Sequence, residues 1–282
     1  MEIKASDVKA LREKTGAGMM ECKNALAHCG GDFAKAEKQL KEKGLAAVEK
    51  RADRATNEGK IFIKIKDNTA VLVELASETD FVARNPEFIA LGGEIADIAI
   101  AKGYTEPNEE LSNKVTDLAT KIRENMSLKR LKAVKAGANQ ILTQYIHGDG
   151  AIGVLVVIGA DKPEVLKNEE LTGFAFNIAL HIAAFNPLAL DRSKVDPAVV
   201  KEQEEIFRKQ MENDEKLKGK PANVVENILQ GKVNKYLSDI CLLDQGFVKD
   251  EKQTVAQVVA ALGKQLGAKI SIDDYVYFRV GQ

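Results

Sequence analysis

Apolar side chains recur at helical spacing through the first 45 residues. Val8 and Leu11 predict a first helix, which the Thr-Gly-Ala-Gly sequence at 15–18 is expected to end because glycine breaks helices. Ser6 lies just before these apolar positions, where its hydroxyl is expected to cap the helix. The pattern therefore predicts that the chain begins with a helical unit.

Two more helices are predicted by the same spacing. The second covers residues 19–28, and Asp32 is expected to cap a third helix that ends near Gly44. The charged residues at 49–54 have little apolar surface to bury, which is typical of a linker. The sequence thus predicts a three-helix N-terminal domain and its linker at residues 1–55.

From residue 60 the helical spacing gives way to alternation. Apolar and polar residues alternate over 61–66, a turn is expected at 67–68, and 71–75 is apolar, which predicts a β-hairpin. Pro86 then favours the first turn of a helix. The apolar side of that helix is expected to carry Ile89, Ile95, Ile98 and Ala99.

The same order of elements recurs later in the chain. A second hairpin is predicted over residues 141–158, and a helix follows it at 169–185. At an offset of 83 residues, the Val-Leu-Val sequence at 71–73 matches the one at 154–156. This repetition predicts two related α+β subdomains with antiparallel sheets.

Two apolar helical stripes follow the second copy, at 199–211 and 224–237, and the residues at 218–221 separate them. They predict an antiparallel helical hairpin at about 195–240 that is available for contact with another protein or for self-association.

A helix over 254–266 and a strand over 270–280 complete the predicted α+β fold. The predicted domains are the N-terminal domain at 1–55, a first core subdomain at 56–140, and a second core subdomain at 141–282 that contains the helical hairpin.

Charge and composition argue against several classes of function. The 41 Lys and Arg residues are balanced by 42 Asp and Glu residues, whereas a protein that grips nucleic acid usually has a basic excess. No apolar stretch approaches the roughly 20 residues that span a bilayer, and the N-terminus does not resemble a signal peptide. The three cysteines lack metal-ligand spacing and favour reduced thiols. We therefore expect a cytoplasmic protein that binds neither membrane nor nucleic acid directly.

The sequence offers little for catalysis. None of the three histidines stands in a catalytic or metal-binding motif, and His181 lies on an apolar helix, which favours a core position. The glycines at 15–18 join two helices and do not match a phosphate-binding loop. We therefore expect no enzyme activity, no cofactor and no metal ion.

Two alternatives from other classes remain open. One is an enzyme with an unrecognised site. The other is an RNA-binding protein of translation that uses a basic strip, although the same residues also fit a solvated strand face. The strip consists of Lys129, Arg130, Lys132 and Lys135.

One short connector after the first hairpin is unusual. The polar segment at 77–85 contains the adjacent pair Phe81 and Val82, although connectors lie at the surface. At the 83-residue offset, residues 79–82 correspond to Lys-Pro-Glu-Val at 162–165, without an aromatic residue. Either Phe81 folds back over its own sheet, or it is an exposed apolar probe beside the carboxylate of Asp80.

Two long motifs carry a resemblance to a known family. Residues 11–26 and 74–85 resemble the two signatures of the elongation factor Ts family, in the same order and at a similar separation. Shorter similarities occur at 147–148, 152–156, 181–184 and 243–250, so the resemblance covers essentially the whole chain.

The resemblance implies an N-terminal domain with a ubiquitin-associated-like fold, a two-part α+β core and a helical hairpin. It implies elongation factor Tu as the partner, in its GDP-bound and nucleotide-free states, and the release of GDP as the task. The residues implied to displace the partner's magnesium are Thr79, Asp80, Phe81 and Val82. Those implied to bind the partner are Arg12, Met19, Met20, Asp80, Phe81 and His147.

The sequence departs from the family's pattern in two places. Some relatives contact the partner through an Ile-Gly pair, whereas the matching residues here are Ile122 and Arg123. Some relatives also continue past the final strand, whereas this sequence stops at residue 282. The contact at Arg123 is left open, and the contact made by the additional segment is expected to be missing or replaced.

Overall fold

A computed structural model describes residues 3–217 and 220–282. The predicted break between the helices of the hairpin lies partly outside these residues, since 218 and 219 are not described. The described chain combines helices with small antiparallel sheets, which confirms the predicted α+β class.

Three helices form the N-terminal part of the chain. They are α1 (Ala5–Thr15), α2 (Met19–His28) and α3 (Phe33–Glu49). Their shared core contains Leu11, Leu26 and Ala36, each almost fully buried. Asp32 caps α3, as predicted: its carboxylate accepts the N–H of Lys35.

Two expectations for these helices were wrong. Ser6 lies inside α1, which begins at Ala5 with Lys4 as its N-cap residue. Gly44 does not end α3, which continues to Glu49. A Cβ at Gly44 would collide with the side-chain methyl group of Thr120, so this glycine permits close helix packing.

The first sheet has the strand order β1-β2-β3 and is antiparallel throughout. Its strands are β1 (Glu58–Lys66), β2 (Thr69–Ser77) and β3 (Met126–Lys135). Between β2 and β3 the chain forms α4 (Asp80–Ala83), α5 (Pro86–Lys102) and α6 (Glu109–Ile122). The core against this sheet contains Phe88, Ile95 and Leu111. Ile89 does not join it, because 43% of this residue is exposed.

The second sheet has the order β4-β5-β8. Its strands are β4 (Gln140–His147), β5 (Ile152–Ala160) and β8 (Ile270–Arg279). A 3₁₀ turn (Pro163–Lys167) follows β5, and the α-helices described between it and β8 are α7 (Glu169–Phe185), α8 (Pro197–Glu212), α9 (Ala222–Ile240) and α10 (Val255–Leu266). A two-stranded ribbon of β6 (Gly246–Phe247) and β7 (Asp250–Thr254) precedes α10.

The two halves of the core share one topology. Each has a hairpin, a short helical turn, a 17-residue helix, a further helix, and a third strand that pairs with the second strand of the hairpin. The second half differs by the inserted helices α8 and α9, which pack on each other through Met211, Leu229 and Val233. The repetition read from the sequence is thus visible in the order of elements.

The chain divides into two compact units. The first contains the described residues up to Lys135 together with Ile146–Gly153 and Phe278–Gln282. The second contains Ala136–Tyr145 and Val154–Tyr277. The three domains expected from the sequence stay a prediction.

Candidate functional site

The segment that carries Asp80 and Phe81 forms the short helix α4 directly after β2. Thr79 is its N-cap, because the Thr79 hydroxyl accepts the N–H of Val82 at 3.4 Å. Val82 is buried, whereas 81% of Phe81 is exposed. Of the two alternatives for Phe81, the structure therefore shows the exposed ring.

The second copy of the core shows what this turn looks like without the aromatic ring. At the 83-residue offset, α4 corresponds to the 3₁₀ turn Pro163–Lys167, and Phe81 corresponds to the exposed Glu164. The inward position is kept, since Ala83 and its counterpart Leu166 are both buried. The fold of this turn therefore does not require an apolar residue at position 81.

Asp80 lies in the first turn of α4 with 46% of its side chain exposed. Its carboxylate forms an ion pair with Arg84 at 3.3 Å, one helical turn further along. The turn thus presents an apolar ring and a carboxylate side by side.

The residues that lead into α4 are held by hydrogen bonds. The buried Ser77 donates its hydroxyl to the carbonyl oxygen of Thr79 at 2.9 Å. The Thr79 hydroxyl donates to the Glu124 carboxylate at 3.0 Å. A chain of short contacts therefore fixes the start of α4, although Phe81 itself is exposed.

Glu78 anchors the same segment from its other side. Its carboxylate accepts the backbone N–H of Asn125 at 2.6 Å and pairs with Arg54 at 3.3 Å. The Asn125 N–H, followed by Arg54, holds the pKa of Glu78 below its ordinary value, so this carboxylate is charged at neutral pH. The residues at 52–54, expected to be a plain linker, are thus tied to the core, since Asn125 Nδ2 also donates to the carbonyl oxygens of residues 52 and 54.

The N-terminal helices present a second group of implied partner-binding residues. Met19 and Met20 occupy the first turn of α2 with 47% and 64% exposure, and Arg12 on α1 is also exposed. The turn is fixed by Glu21, whose carboxylate accepts the N–H of Gly18 at 3.0 Å. Two exposed methionines on an ordered helix end form an adaptable apolar surface.

His147 ends β4 and is exposed. The turn after it contains Asp149, which has a positive φ of 54° and whose carboxylate pairs with the buried Lys60 at 2.7 Å. The Lys60 ammonium also donates to the Asp149 carbonyl oxygen at 2.8 Å. This pairing lowers the pKa of Asp149 and fixes the turn on β1. The exposed Ile146 lies directly before His147.

All the residues implied to bind the partner lie in the first compact unit. The structure joins Thr79, Asp80, Phe81 and Val82 in one turn, and it places Met19 and Met20 on another. No local sequence pattern indicates the contacts made by residues 123–125, because these residues are 45 or more positions away from the side chains that they bind.

The described residues contain no group of three or more His, Cys, Asp or Glu side chains that could hold a metal ion. His181 is fully buried, and its ring nitrogens bond to Gln245 and to the N–H of Val248. None of the helices within the described ranges is long and apolar enough to cross a membrane.

One residue of the basic strip considered for RNA binding already has partners within the protein. Arg130 pairs with the buried Glu74 at 2.5 Å and donates to the carbonyl oxygen of Arg279 at 2.9 Å. Its guanidinium also lies 4.3 Å from the ring centre of Phe278. Arg130 thus has a structural role, while Lys129 and Lys132 are solvated.

Comparisons with known proteins agree with the motifs. The family model described as "Elongation factor TS" matches residues 78–282. A relative named "Elongation factor Ts" from Treponema denticola is 53% identical over all of this chain and 99% of its own length. Relatives of the same name from Treponema pallidum and Borrelia recurrentis are 45% and 39% identical over all of this chain, and over 99% and 100% of their own lengths.

Proposed function

The chain belongs to the elongation factor Ts family of translation elongation factors, and from this membership we propose that it is a cytoplasmic nucleotide-exchange factor for elongation factor Tu. It binds the GDP-loaded GTPase, promotes the release of GDP and leaves the nucleotide site open to GTP. The single observation that carries the mechanism is Phe81, an 81% exposed ring on a turn whose inner residues Val82 and Ala83 are buried and whose start is hydrogen-bonded.

Exchange of this kind requires no bond to be broken by the factor. GDP is held in a GTPase by its phosphate loop and by Mg²⁺, which together offset the charge of the pyrophosphate. A protein that binds the empty GTPase more tightly than the loaded one weakens nucleotide binding by the same free energy. The chain therefore acts by binding and needs no cofactor of its own.

Phe81 supplies part of that free energy by entering the GTPase domain. Burying one phenylalanine side chain contributes about 1.5–3 kcal/mol, and each tenfold change in affinity corresponds to about 1.4 kcal/mol. The ring alone thus accounts for about 10-fold to 100-fold. It wedges between elements of the partner that hold Mg²⁺, while Asp80 sets the placement of the turn beside it.

The other exposed residues supply the wider interface. Met19, Met20 and Arg12 contact the GTPase domain through the N-terminal helices, and His147 faces another domain of the partner. Met19 and Met20 lie beside a turn fixed by a hydrogen bond, and His147 precedes a turn fixed by an ion pair, so little backbone entropy is lost when they bind.

The test is the release of fluorescent GDP from purified elongation factor Tu, with this chain added in sub-stoichiometric amounts. The wild-type chain is expected to accelerate release catalytically. Phe81→Ala is expected to reduce the acceleration by about 10-fold to 100-fold. Its thermal stability is expected to stay unchanged, because the ring contributes little to the core.

Glu164→Ala is the matched control, since Glu164 occupies the equivalent exposed position in the second copy. It is expected to exchange nucleotide at the wild-type rate. If Phe81→Ala and Glu164→Ala are equally active, the ring is not the wedge. If the wild-type chain does not accelerate release at all, the proposed function is wrong.

A further inference from the structure

Three consecutive residues between α6 and β3 contact three separate parts of the first compact unit. The Arg123 guanidinium forms an ion pair with Glu21, the residue that follows Met20 on α2. The Glu124 carboxylate accepts the hydroxyl of Thr79, the residue that precedes Asp80. We call residues 123–125 the brace.

Asn125 completes the set of contacts made by the brace. Its backbone N–H donates to Glu78 at 2.6 Å, and its side-chain amide donates to the carbonyl oxygens of Ala52 and Arg54 at 3.1 and 2.7 Å. Asn125 is itself buried, and its contacts with Glu78, Ala52 and Arg54 are partly buried. The brace thus reaches the segment leading into α4 and the segment leaving α3.

Arg123 adopts a conformation that a non-glycine residue rarely takes. It ends α6 with φ 70° and ψ 25°, in the left-handed region. Its N–H donates to Ala119 and its carbonyl oxygen accepts the guanidinium of Arg51, both at 2.8 Å. Strained residues of this kind persist where surrounding contacts over-determine them, and they concentrate at functional sites.

The N-terminal helices also pack closely on α6. Gly44 on α3 and Gly16 at the end of α1 both lie where a Cβ would collide with α6, at Thr120 and Lys121. Lys41 on α3 pairs with Asp117 on α6 at 3.1 Å. The contact through Arg123 is therefore the end of a continuous interface along α6.

We propose that the brace is a positioning device for nucleotide exchange, which holds the α2 turn with Met19 and Met20 and the α4 turn with Phe81 in one fixed arrangement. This inference rests on the proposed function. It assigns positioning roles to Arg123 and Glu124, which act through the residues that they hold.

The electrostatics support the brace. The hydrogen bond from Arg123, followed by the N–H of Gly18, lowers the pKa of Glu21 to about 2. The Glu21 carboxylate is therefore charged throughout the physiological pH range, and the link from α2 to the brace persists.

The first experiment compares Glu124→Ala with Glu124→Gln in the GDP-release assay. The glutamine oxygen still accepts the Thr79 hydroxyl, whereas alanine leaves that hydroxyl without this partner. Glu124→Ala is expected to lower the maximal release rate by about threefold to tenfold, the range for one hydrogen bond in an ordered site. Glu124→Gln is expected to keep the wild-type rate.

A double-mutant cycle distinguishes a positioning role of Glu124 from a general disruption of the protein. If Glu124 acts by placing Phe81, then Glu124→Ala has at most about a twofold effect when Phe81 is already alanine. Amide hydrogen exchange gives a readout that does not depend on the partner. Exchange at residues 79–84 is expected to be faster in Glu124→Ala than in Glu124→Gln or wild type.

The second experiment tests the link to the N-terminal helices. Arg123→Asn keeps a residue that tolerates the left-handed region but is too short to bond Glu21. It is expected to raise the concentration of elongation factor Tu needed for half-maximal exchange by about threefold to tenfold and to leave the maximal rate unchanged.

The outcomes distinguish the proposed function from the proposed role of the brace. A wild-type chain without exchange activity contradicts the proposed function. If the wild type is active and Glu124→Ala releases GDP at the same rate, the proposed role of the brace is wrong. It is also wrong if the effects of Glu124→Ala and Phe81→Ala multiply fully in the double variant. Loss of activity in Glu124→Gln equal to that in Glu124→Ala also overturns it, because the hydrogen bond is then not the cause.

Discussion

A single aromatic ring distinguishes the two copies of the turn that follows the hairpin. Phe81 and Glu164 occupy equivalent exposed positions, while Ala83 and Leu166 both point into their cores. The sequence alone left two orientations open for Phe81, because an aromatic residue in a connector fits either a local core or a contact surface. The comparison within the chain was the strongest available signal, since a glutamate at the equivalent position indicates a solvent-facing site.

His181 is a second residue whose surroundings define its chemical state. Its Nδ1 accepts the N–H of Val248 at 3.2 Å, so the proton of the neutral ring lies on Nε2, which donates to the Gln245 side-chain oxygen at 2.9 Å. The Gln245 amide is oriented by donation to the carbonyl oxygen of Asp239 at 2.6 Å. Burial lowers the pKa of His181, while the bond to Gln245 partly opposes this shift.

This arrangement predicts a loss of stability in mild acid. The folded pKa of His181 lies below its ordinary value of about 6.5, so the unfolded chain binds a proton first as the pH falls. The neutral ring therefore contributes its full stability above pH ~6.5, and this contribution declines as the pH falls towards the folded pKa. Urea unfolding at pH 7.5, 6.5 and 5.5 is expected to show this decline.

The control for this prediction is His181→Gln, which keeps a polar side chain but does not titrate. It is expected to be less stable than wild type at pH 7.5, with a shallower pH dependence between 7.5 and 5.5. Identical pH dependence in the two proteins would show that His181 does not govern stability in this range.

At the scale of elements, hydrophobic spacing predicted most helices and strands. The structure has α2 and α7 with the predicted limits, and both hairpins are present. The helix α6 was missed, although Leu111, Val115 and Ala119 recur every four residues and Asn108 caps it. The sequence therefore contains a local signal for this helix.

The predicted end of α3 failed for a different reason. Glycine usually marks a helix end, but Gly44 lies within α3 because α6 approaches it too closely for any side chain. Such a contact involves Thr120, which is far away in the sequence, so no local pattern distinguishes a packing glycine from a terminating one. The same limit applies to the other helical glycines of the chain.

Two adjacent glycines in α5 give a direct test. A Cβ at Gly92 would overlap the ring of Phe62, whereas a Cβ at Gly93 would meet nothing within 4 Å. Gly92→Ala is expected to destabilise the protein by about 1–3 kcal/mol through overpacking. Gly93→Ala is expected to stabilise it by about 0.5–1 kcal/mol, because alanine favours helix.

Urea unfolding of the two α5 variants measures both effects against wild type. Opposite signs are the expected result. The helix and the substitution are the same in both variants, and only the contact with Phe62 differs. If both variants are stabilised, the ring of Phe62 moves aside at little cost and the packing between α5 and the first sheet is looser than the structure shows.

At the scale of the whole molecule, sequence reasoning does not predict which polar residues pair over long distances along the chain. Arg123 and Glu21 are 102 residues apart, and Glu124 and Thr79 are 45 apart. Hydrophobic periodicity shows which face of an element is buried, but it does not say which polar groups meet at the ends of different elements. The resemblance to a family identified the exposed residues of interest and not the brace that holds them.

Another long-range contact of the first unit supplies a prediction at this scale. The Glu74 carboxylate is 2% exposed and binds Arg130 on β3 and the N–H of Gly281, 207 residues away. Glu74→Ala is expected to cost about 1–3 kcal/mol, since Gly281 loses its acceptor while Arg130, a third exposed, regains water. Urea unfolding measures the loss, and amide exchange at residues 279–281 is expected to accelerate.

The exposed Glu58 on β1 offers a matched substitution in the same sheet. Glu58→Ala is expected to change stability by less than about 0.5 kcal/mol, as most surface substitutions do. If Glu74→Ala is equally mild, the buried carboxylate does not tie residues 278–282 to the first sheet.

The contact between Glu74 and Gly281 also bears on how the chain is made. Ribosomes add about 5–20 residues per second, so Gly281 is joined roughly 10–40 s after Glu74. During that interval the residues of the second unit are synthesised, and the carboxylate lacks its backbone donor. The first unit therefore remains incomplete throughout the synthesis of the second, and a nascent chain that stalls before residue 281 still lacks the hydrogen bond from Gly281 to Glu74.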